Sequence, residues 1–219
     1  RQHSGPPPMG IQIADIAGGS LHSVIGILAA VIERQRSGLG QYIDISMTDC
    51  VVGLSSMAAA ASLAGQEKQG PEQSYLNGAT FYDYYETQDG RYLSIGSLEP
   101  QFLHGLAQIL ELPIVAEKGA SLVTEDRQVV KQAIKDKIKT QDFATWNAIF
   151  HQQDVCVEPV LKLDEALDSQ LAKDRAWVVS VPLQEGSTKS EQQLACPIKF
   201  SRSKIRYEFI GKPLGFDFL

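Results

Sequence analysis

Downstream of Leu21, apolar residues recur at Val24, Ile25, Leu28, Val31 and Ile32, the three- and four-residue spacing of one face of a helix. Gly26, Ala29 and Ala30 lie on its other sides, where small side chains admit close neighbours, so the helix is expected to be buried on more than one face. Glu33-Arg34-Gln35-Arg36 followed by Gly38 reads as a charged last turn and a C-terminal stop. Upstream, Ile11-Gln12-Ile13-Ala14-Asp15 is a short apolar segment, expected as a strand, that ends in a carboxylate, turns on Gly18 and Gly19 and feeds the helix. Residues 41–46 alternate polar and apolar as a strand does, and Thr48 is suited to cap an Ala-rich helix running to about Ala64. The order strand, helix, strand, helix predicts an α/β layer with a largely parallel sheet.

The pattern changes after residues 65–78, a polar, Gln- and Glu-rich stretch that reads as a linker, with a boundary near residue 70. Residues 80–87 and 91–95 are expected as two strands joined through Gln88-Asp89-Gly90. The hairpin leads to Gly96-Ser97-Leu98-Glu99, and Pro100 suits a first helical position, which puts Glu99 at the start of a helix running to about Leu110. Residues 125–139 form an amphipathic helix with Val129, Ile134 and Ile138 expected inward; residues 142–151 form another, carrying Phe143, Trp146 and Phe150. Strands are expected at 155–161 and 176–181 around a helix at 164–172, and residues 184–193 read as a loop. There is no internal repeat.

Composition narrows the class. The 219 residues suffice for one large domain or two small ones, and 43% hydrophobic content is that of an ordinary globular protein. Twenty basic against 26 acidic side chains give a net charge of -6, which argues against a nucleic-acid or anionic-membrane partner. Cys50, Cys156 and Cys196 are far apart and lack CxxC spacing, so neither a disulfide framework nor a zinc site is indicated, and a reducing, cytoplasmic setting is expected. The longest apolar stretch, residues 24–32, falls short of the ~20 residues of a membrane span, and none is expected. The first residues, Arg1 and Gln2, are read as the start of a piece of a longer protein.

Two carboxylates stand out. Asp15 precedes two glycines, which let a ligand approach the backbone, and helix-start amides, which can hold an anion, an arrangement suited to acid/base or acyl chemistry. The competing reading is a simple helix N-cap. Glu99 is either a second functional acid or a carboxylate that complements a helix N-terminus. His22, on the first turn after Asp15, reads as packed or capping rather than catalytic; His3 belongs to the terminus, and His104 and His151 to helices of the second half. Phe81, Tyr82, Tyr84 and Tyr85 either border an apolar pocket or pack across strands. No metal-ligand spacing is present.

Ala14-Asp15 with Gly18-Gly19, Gly26-Ile27-Leu28-Ala29-Ala30, Arg36-Ser37-Gly38-Leu39-Gly40-Gln41 and Asp44 together resemble the alpha-methylacyl-CoA racemase / family III CoA-transferase superfamily. Phe81-Tyr82-Asp83-Tyr84-Tyr85, the run from Asp89-Gly90-Arg91 through Gly96-Ser97-Leu98-Glu99-Pro100-Gln101-Phe102, and Asp154-Val155-Cys156-Val157-Glu158-Pro159-Val160-Leu161 are similar to the racemase branch. The resemblance implies an α/β fold: part of a Rossmann-like, CoA-binding large domain in residues 1–70, a small α+β domain in 71–190, and a return segment toward the large domain in 191–219. It also implies that a preceding segment, with much of the CoA surface and a catalytic histidine, and a C-terminal tail lie outside this chain, and that two chains assemble as an interlocked homodimer.

In a racemase, the resemblance implies that Asp15 exchanges the proton beside a thioester carbonyl while the histidine of the preceding segment works on the opposite face. A free aspartate has a pKa of ~3.9, so loss of water or a nearby negative charge has to raise its basicity for that role. Amides near Gly18 and Gly19 are expected to contact the substrate and stabilise its enolate, and Glu99 to orient the histidine. In a CoA-transferase the same aspartate attacks the thioester and forms a mixed anhydride. Such transferases carry a glycine run where this chain has only Gly65, Gly70 and Gly78, which favours the isomerase, acting on 2-methyl-branched acyl-CoA in fatty acid metabolism. No cofactor is expected beyond the coenzyme A of the substrate. A non-catalytic remnant or assembly module is the third reading, and as an isolated piece the chain is expected to be inactive.

Overall fold

The computed structural model describes residues 10–65, 70 and 73–211, which fall into two units, Arg1–Glu158 and Pro159–Leu219. In the first, β1 (Asp83–Glu86) pairs antiparallel with β2 (Tyr92–Ile95), with Asp83 opposite Ile95 and Glu86 opposite Tyr92; β3 (Val157–Pro159) lies on the other side of β2. Gly90 closes the hairpin at φ 79°, a left-handed conformation that glycine adopts without a Cβ penalty. Strand alternation sends Phe81 and Tyr85 inward and leaves Tyr84 exposed.

The inward face meets four helices, here numbered after the three near the start of the chain. In α4 (Pro100–Leu110), Leu103, Leu106, Ala107 and Leu110 are buried; α5 (Pro113–Lys118) adds Val115; α7 (Phe143–Phe150) adds Trp146 and Phe150. The buried residues of α6 (Thr124–Ile138) are Val130, Ile134 and Ile138, whereas Val129, expected inward, is 51% exposed. At ~100° per residue, Val130 shares the face of Ile134 and Ile138 and Val129 is rotated off it. These residues form one hydrophobic cluster. Each fully buried aliphatic side chain contributes about 1.5–3 kcal/mol, so the cluster outweighs the half-exposed ion pairs Lys131–Asp83 at 2.5 Å and Lys139–Glu86 at 2.9 Å that also join α6 to β1.

The hairpin turn is tied to α7 by Asp89, whose Oδ1 accepts the Thr87 hydroxyl at 2.5 Å and the Phe143 amide at 3.0 Å. The Thr87 bond first, and the Phe143 amide after it, hold this carboxyl below the ordinary carboxylate range. A depressed folded-state pKa gives stability that is present above the unfolded pKa of ~3.9 and is lost as pH falls through the lower folded value. Asp89→Asn is therefore expected to lower the unfolding midpoint at pH 7 and to make its decline below about pH 4 shallower, measured by urea titration across pH.

Nearer the start of the chain, residues 11–16 and 41–46 are not strands. Ile13–Leu21 is a π-helical segment continuous with α1 (His22–Ser37), and residues 41–46 form no regular element. Among the described residues no strand lies beside either segment, so the expected strand–helix–strand–helix order and parallel sheet do not occur here. A helical backbone satisfies its own amides and carbonyls, which a lone strand cannot. Ser46, not Thr48, caps α2 (Met47–Leu54) by accepting the Asp49 amide at 3.3 Å, and the Ala-rich helix breaks at Ser55 before α3 (Ser56–Leu63). Contrary to the expected broad burial, α1 has no buried residue: Val24, Ile25, Ile27, Leu28, Val31 and Ile32 are all exposed. The span expectation rested on residues 24–32 alone, whereas the continuous helix Ile13–Ser37 has 25 residues and is long and apolar enough to cross a membrane by length and composition, a test that core helices of globular proteins also pass.

In the second unit, α8 (Leu163–Asp168) and α9 (Gln170–Asp174) replace the single expected helix. Ser169, extended at ψ 158°, divides them, and its hydroxyl caps α9 by accepting the Ala172 amide at 3.1 Å. β4 (Val178–Pro182) pairs antiparallel with β5 (Ser190–Leu194). The second strand overlaps the end of the loop expected at 184–193; it is exposed throughout and polar up to Leu194, so it carries no alternation to betray it.

Candidate active site

Asp15 lies in the first turn of the π-helical segment and is exposed. The segment's N-cap is Gln12, without a side-chain cap bond, so Asp15 does not serve as the cap. Only its backbone oxygen is engaged, accepting the Ser20 hydroxyl at 3.1 Å, and no described residue bonds the carboxylate. The segment follows this path because Gly18 is buried against α2, where an added Cβ would meet Met47 O and Val51 Cγ2 at 3.2 Å. Gly19 faces the Met47 side chain, with Cγ 3.3 Å from the position of such a Cβ. Both glycines thus set how closely the Asp15 segment packs on α2. His22 is half-buried, and its Nδ1 lies 2.6 Å from Ala17 O, which fixes the ring to its own helix.

Glu99 is the N-cap residue of α4, exposed, with backbone in the extended region and no side-chain cap bond. Pro100 fills the first turn, and Glu99 O accepts the Leu103 amide at 2.9 Å, so the helix starts correctly while the carboxylate bonds to no described residue. The turn that carries it is pinned from below. Ser97 is fully buried and donates its hydroxyl to Val155 O, and Gly96 N donates to Cys156 O at 2.9 Å. Gly96 admits the Tyr82 ring closely, since a Cβ would stand 3.0 Å from it, and Gly105 within α4 lets Val155 approach to 2.7 Å of where its Cβ would be.

Cys156 faces this turn at φ 52°, a conformation uncommon for a side-chain-bearing residue. Although the residue as a whole is exposed, loss of hydration at the thiol, then the charges of Glu99, Asp154 and Glu158, push its pKa up and keep it protonated. Ser97, Gly96 and Cys156 are the supports that sequence reading did not assign; each lies inside a run that carries the resemblance, and their contact joins positions 58 residues apart for Ser97 and Val155. Tyr82 packs over Gly96, whereas Phe81 and Tyr85 are core; burial first, and Asp83 second, push the Tyr85 phenol far above its usual range, and its hydroxyl donates to Phe81 O at 2.7 Å.

Neither the Asp15 nor the Glu99 carboxylate bonds to a described residue, and no hydrogen bond or ion pair joins one to the other. His104, with Nδ1 2.6 Å from Pro100 O, and His151, at the end of α7, sit apart from Asp15; His3 lies outside the described residues. Among the described residues no three His, Cys, Asp or Glu side chains converge as metal ligands.

The fold mixes helix and sheet; the family model for CoA-transferase family III matches residues 1–217, and the chain belongs to that family. Alpha-methylacyl-CoA racemase from Mus musculus is 38% identical over 175 residues, covering 80% of this chain and 45% of the relative. The racemase from Homo sapiens is 32% identical over 178 residues, covering 81% and 46%. Proteins named as CoA-transferases match too, at 26% and 27% identity. The crystal structure of a CAIB/BAIF family protein from Brucella suis superposes with a TM-score of 0.66 over 93% of this chain and 53% of that one; at 23% identity it shows the fold alone. The chain spans about half the length of the curated relatives it matches.

Proposed function

We propose that this chain contributes the Asp15 side of an acyl-CoA racemase-type isomerase acting on 2-methyl-branched acyl-CoA. The observation that carries the reading is the Asp15 carboxylate, uncapped at the head of a glycine-containing helix in a chain 38% identical to a racemase. Asp15 takes the proton from the carbon beside the thioester carbonyl; the C–H electron pair moves into the carbonyl to give an enolate, which is reprotonated from the opposite face by a group outside this chain. The charge that develops on the thioester oxygen needs donors, a role we give to amides near Gly18 and Gly19 in the π-helical segment. Glu99 is the partner that orients the opposite acid/base group; the pinning of its turn by Ser97 and Gly96 supports that role.

Coenzyme A enters as part of the substrate and no other cofactor is invoked. We assign residues 1–70 to a Rossmann-like, CoA-binding domain, 71–190 to a small domain and 191–219 to a return segment. A homodimer in the cytoplasm completes the proposal, supported by the exposed apolar residues of α1 and by three free cysteines. The test is incubation of this chain, together with the segment that supplies the opposite acid/base group, with a 2-methylacyl-CoA in deuterated solvent. Deuterium at the alpha carbon without an acceptor acid supports the isomerase. CoA exchange that requires an acceptor acid, with a hydroxylamine-trappable acyl group on Asp15, would instead establish the transferase chemistry of the weaker matches. Neither reaction, from a folded chain that does not bind CoA, would leave the assembly module.

A further inference from the structure

The second unit contains a trough of about 500 Å³ between the end of α9 and the segment that follows β5. Its walls are apolar, with Leu167, Trp177, Leu194 and Pro197, and its charged lining groups are both cations, Arg175 and Lys199. No described residue forms an ion pair with either, whereas the neighbouring Lys173 is taken up by Asp168 at 2.8 Å. The shape is held by backbone bonds. Ala176 turns the chain at φ 47°, Trp177 N donates to Ala172 O at 2.9 Å, Ala195 N donates to Trp177 O at 2.8 Å, and the Cys196 amide is fixed on the Tyr207 hydroxyl at 2.8 Å. The trough is thus a consequence of how α9, β4 and β5 are tied together, and it has the size of a small-molecule site, ~300–1,000 Å³.

We propose that this trough binds an amphipathic organic carboxylate, its aliphatic body against Trp177, Leu167 and Leu194 and its anionic head between Arg175 and Lys199. An apolar lining joined to two cations and no acid selects an anion over a neutral or cationic ligand of the same shape. The inference goes beyond the thioester chemistry and does not rest on it, since none of the lining residues belongs to the Asp15 or Glu99 turns.

The probe is decanoate, kept below its micelle concentration and titrated against the chain while Trp fluorescence is followed. Trp146, the other tryptophan, is buried in the first unit, so Trp177→Phe assigns the signal. Saturable binding at ~1 mM or tighter is expected, weaker by about tenfold in the Arg175→Gln/Lys199→Gln double variant and weaker by a similar factor for decanol on the unsubstituted chain. Both substituted residues are exposed, so the variant is expected to fold, and retained far-UV circular dichroism checks this. The proposal is overturned if decanoate does not bind at ~1 mM, if decanol binds equally well, or if the folded double variant binds decanoate as the unsubstituted chain does.

Discussion

Assayed together with the segment that supplies the opposite acid/base group, Asp15→Asn is expected to reduce alpha-proton exchange on a 2-methylacyl-CoA by about 10²- to 10⁴-fold, the range contributed by a positioned general base. Asparagine keeps the shape of the side chain and removes its ability to accept the proton. Because Asp15 is exposed and its carboxylate bonds to no described residue, the substitution should leave the unfolding midpoint nearly unchanged, within about 0.5 kcal/mol. That separation is what makes the experiment informative: loss of exchange with retained stability marks a chemical role, whereas equal loss of both marks a structural one. Solvent-deuterium uptake followed by mass spectrometry, beside a urea titration of the same preparation, measures the two effects. Exchange that persists at the unsubstituted rate would remove Asp15 from the mechanism.

The second large effect is structural. Trp146→Ala should destabilise the first unit by about 3–5 kcal/mol, against a total of ~5–15 kcal/mol for a typical domain. Trp146 is 1% exposed, stacks on Phe150 with ring centroids 5.7 Å apart, and donates its Nε1–H to Ile138 O at 2.7 Å. Truncation leaves a cavity at the junction of α6, α7 and the sheet and also strips a buried carbonyl of its side-chain donor. A drop in the urea midpoint with little change in slope is the expected result. Tyr84→Ala, on the exposed face of β1, is the control and should change stability by no more than about 0.5 kcal/mol. Comparable effects for the two would mean that the cluster is not the stabilising core of this unit.

The hairpin and helices α4, α6 and α7 of residues 80–158 follow closely from sequence pattern, because their signals are local, whereas the short α5 was not expected. Gln88-Asp89-Gly90 marks the turn, Pro100 marks the start of α4, and Asp142 caps α7 through the Thr145 amide at 2.8 Å. The Val129 expectation failed by a single position: Val130, four residues before Ile134 and eight before Ile138, keeps the helical spacing that Val129 breaks, and it is the valine buried in the structure. β5 was hidden for a different reason: a solvent-facing polar strand owes its existence to pairing with β4, an interaction that local composition does not encode.

The same division runs through the candidate site. Asp15 and Glu99 could be singled out from the residues around them, whereas their supports could not: Ser97 gains its meaning from a carbonyl at Val155, and Gly18 from the backbone of Met47. The trough of the second unit has no sequence signature, because Arg175, Trp177 and Lys199 meet through the return of β5.

By itself, then, the amino-acid order determined membership of the family, the two candidate carboxylates and the helical stripes, since these depend on residue type at short spacing. Tertiary structure decided that residues 11–16 coil instead of extending, that Gly18 and Gly19 pack against α2, and that Ser97 and Gly96 pin the Glu99 turn. The physical reason is that an unpaired strand, a close backbone approach and a buried hydroxyl each depend on what lies opposite, and in a folded chain the opposite group is often distant in sequence.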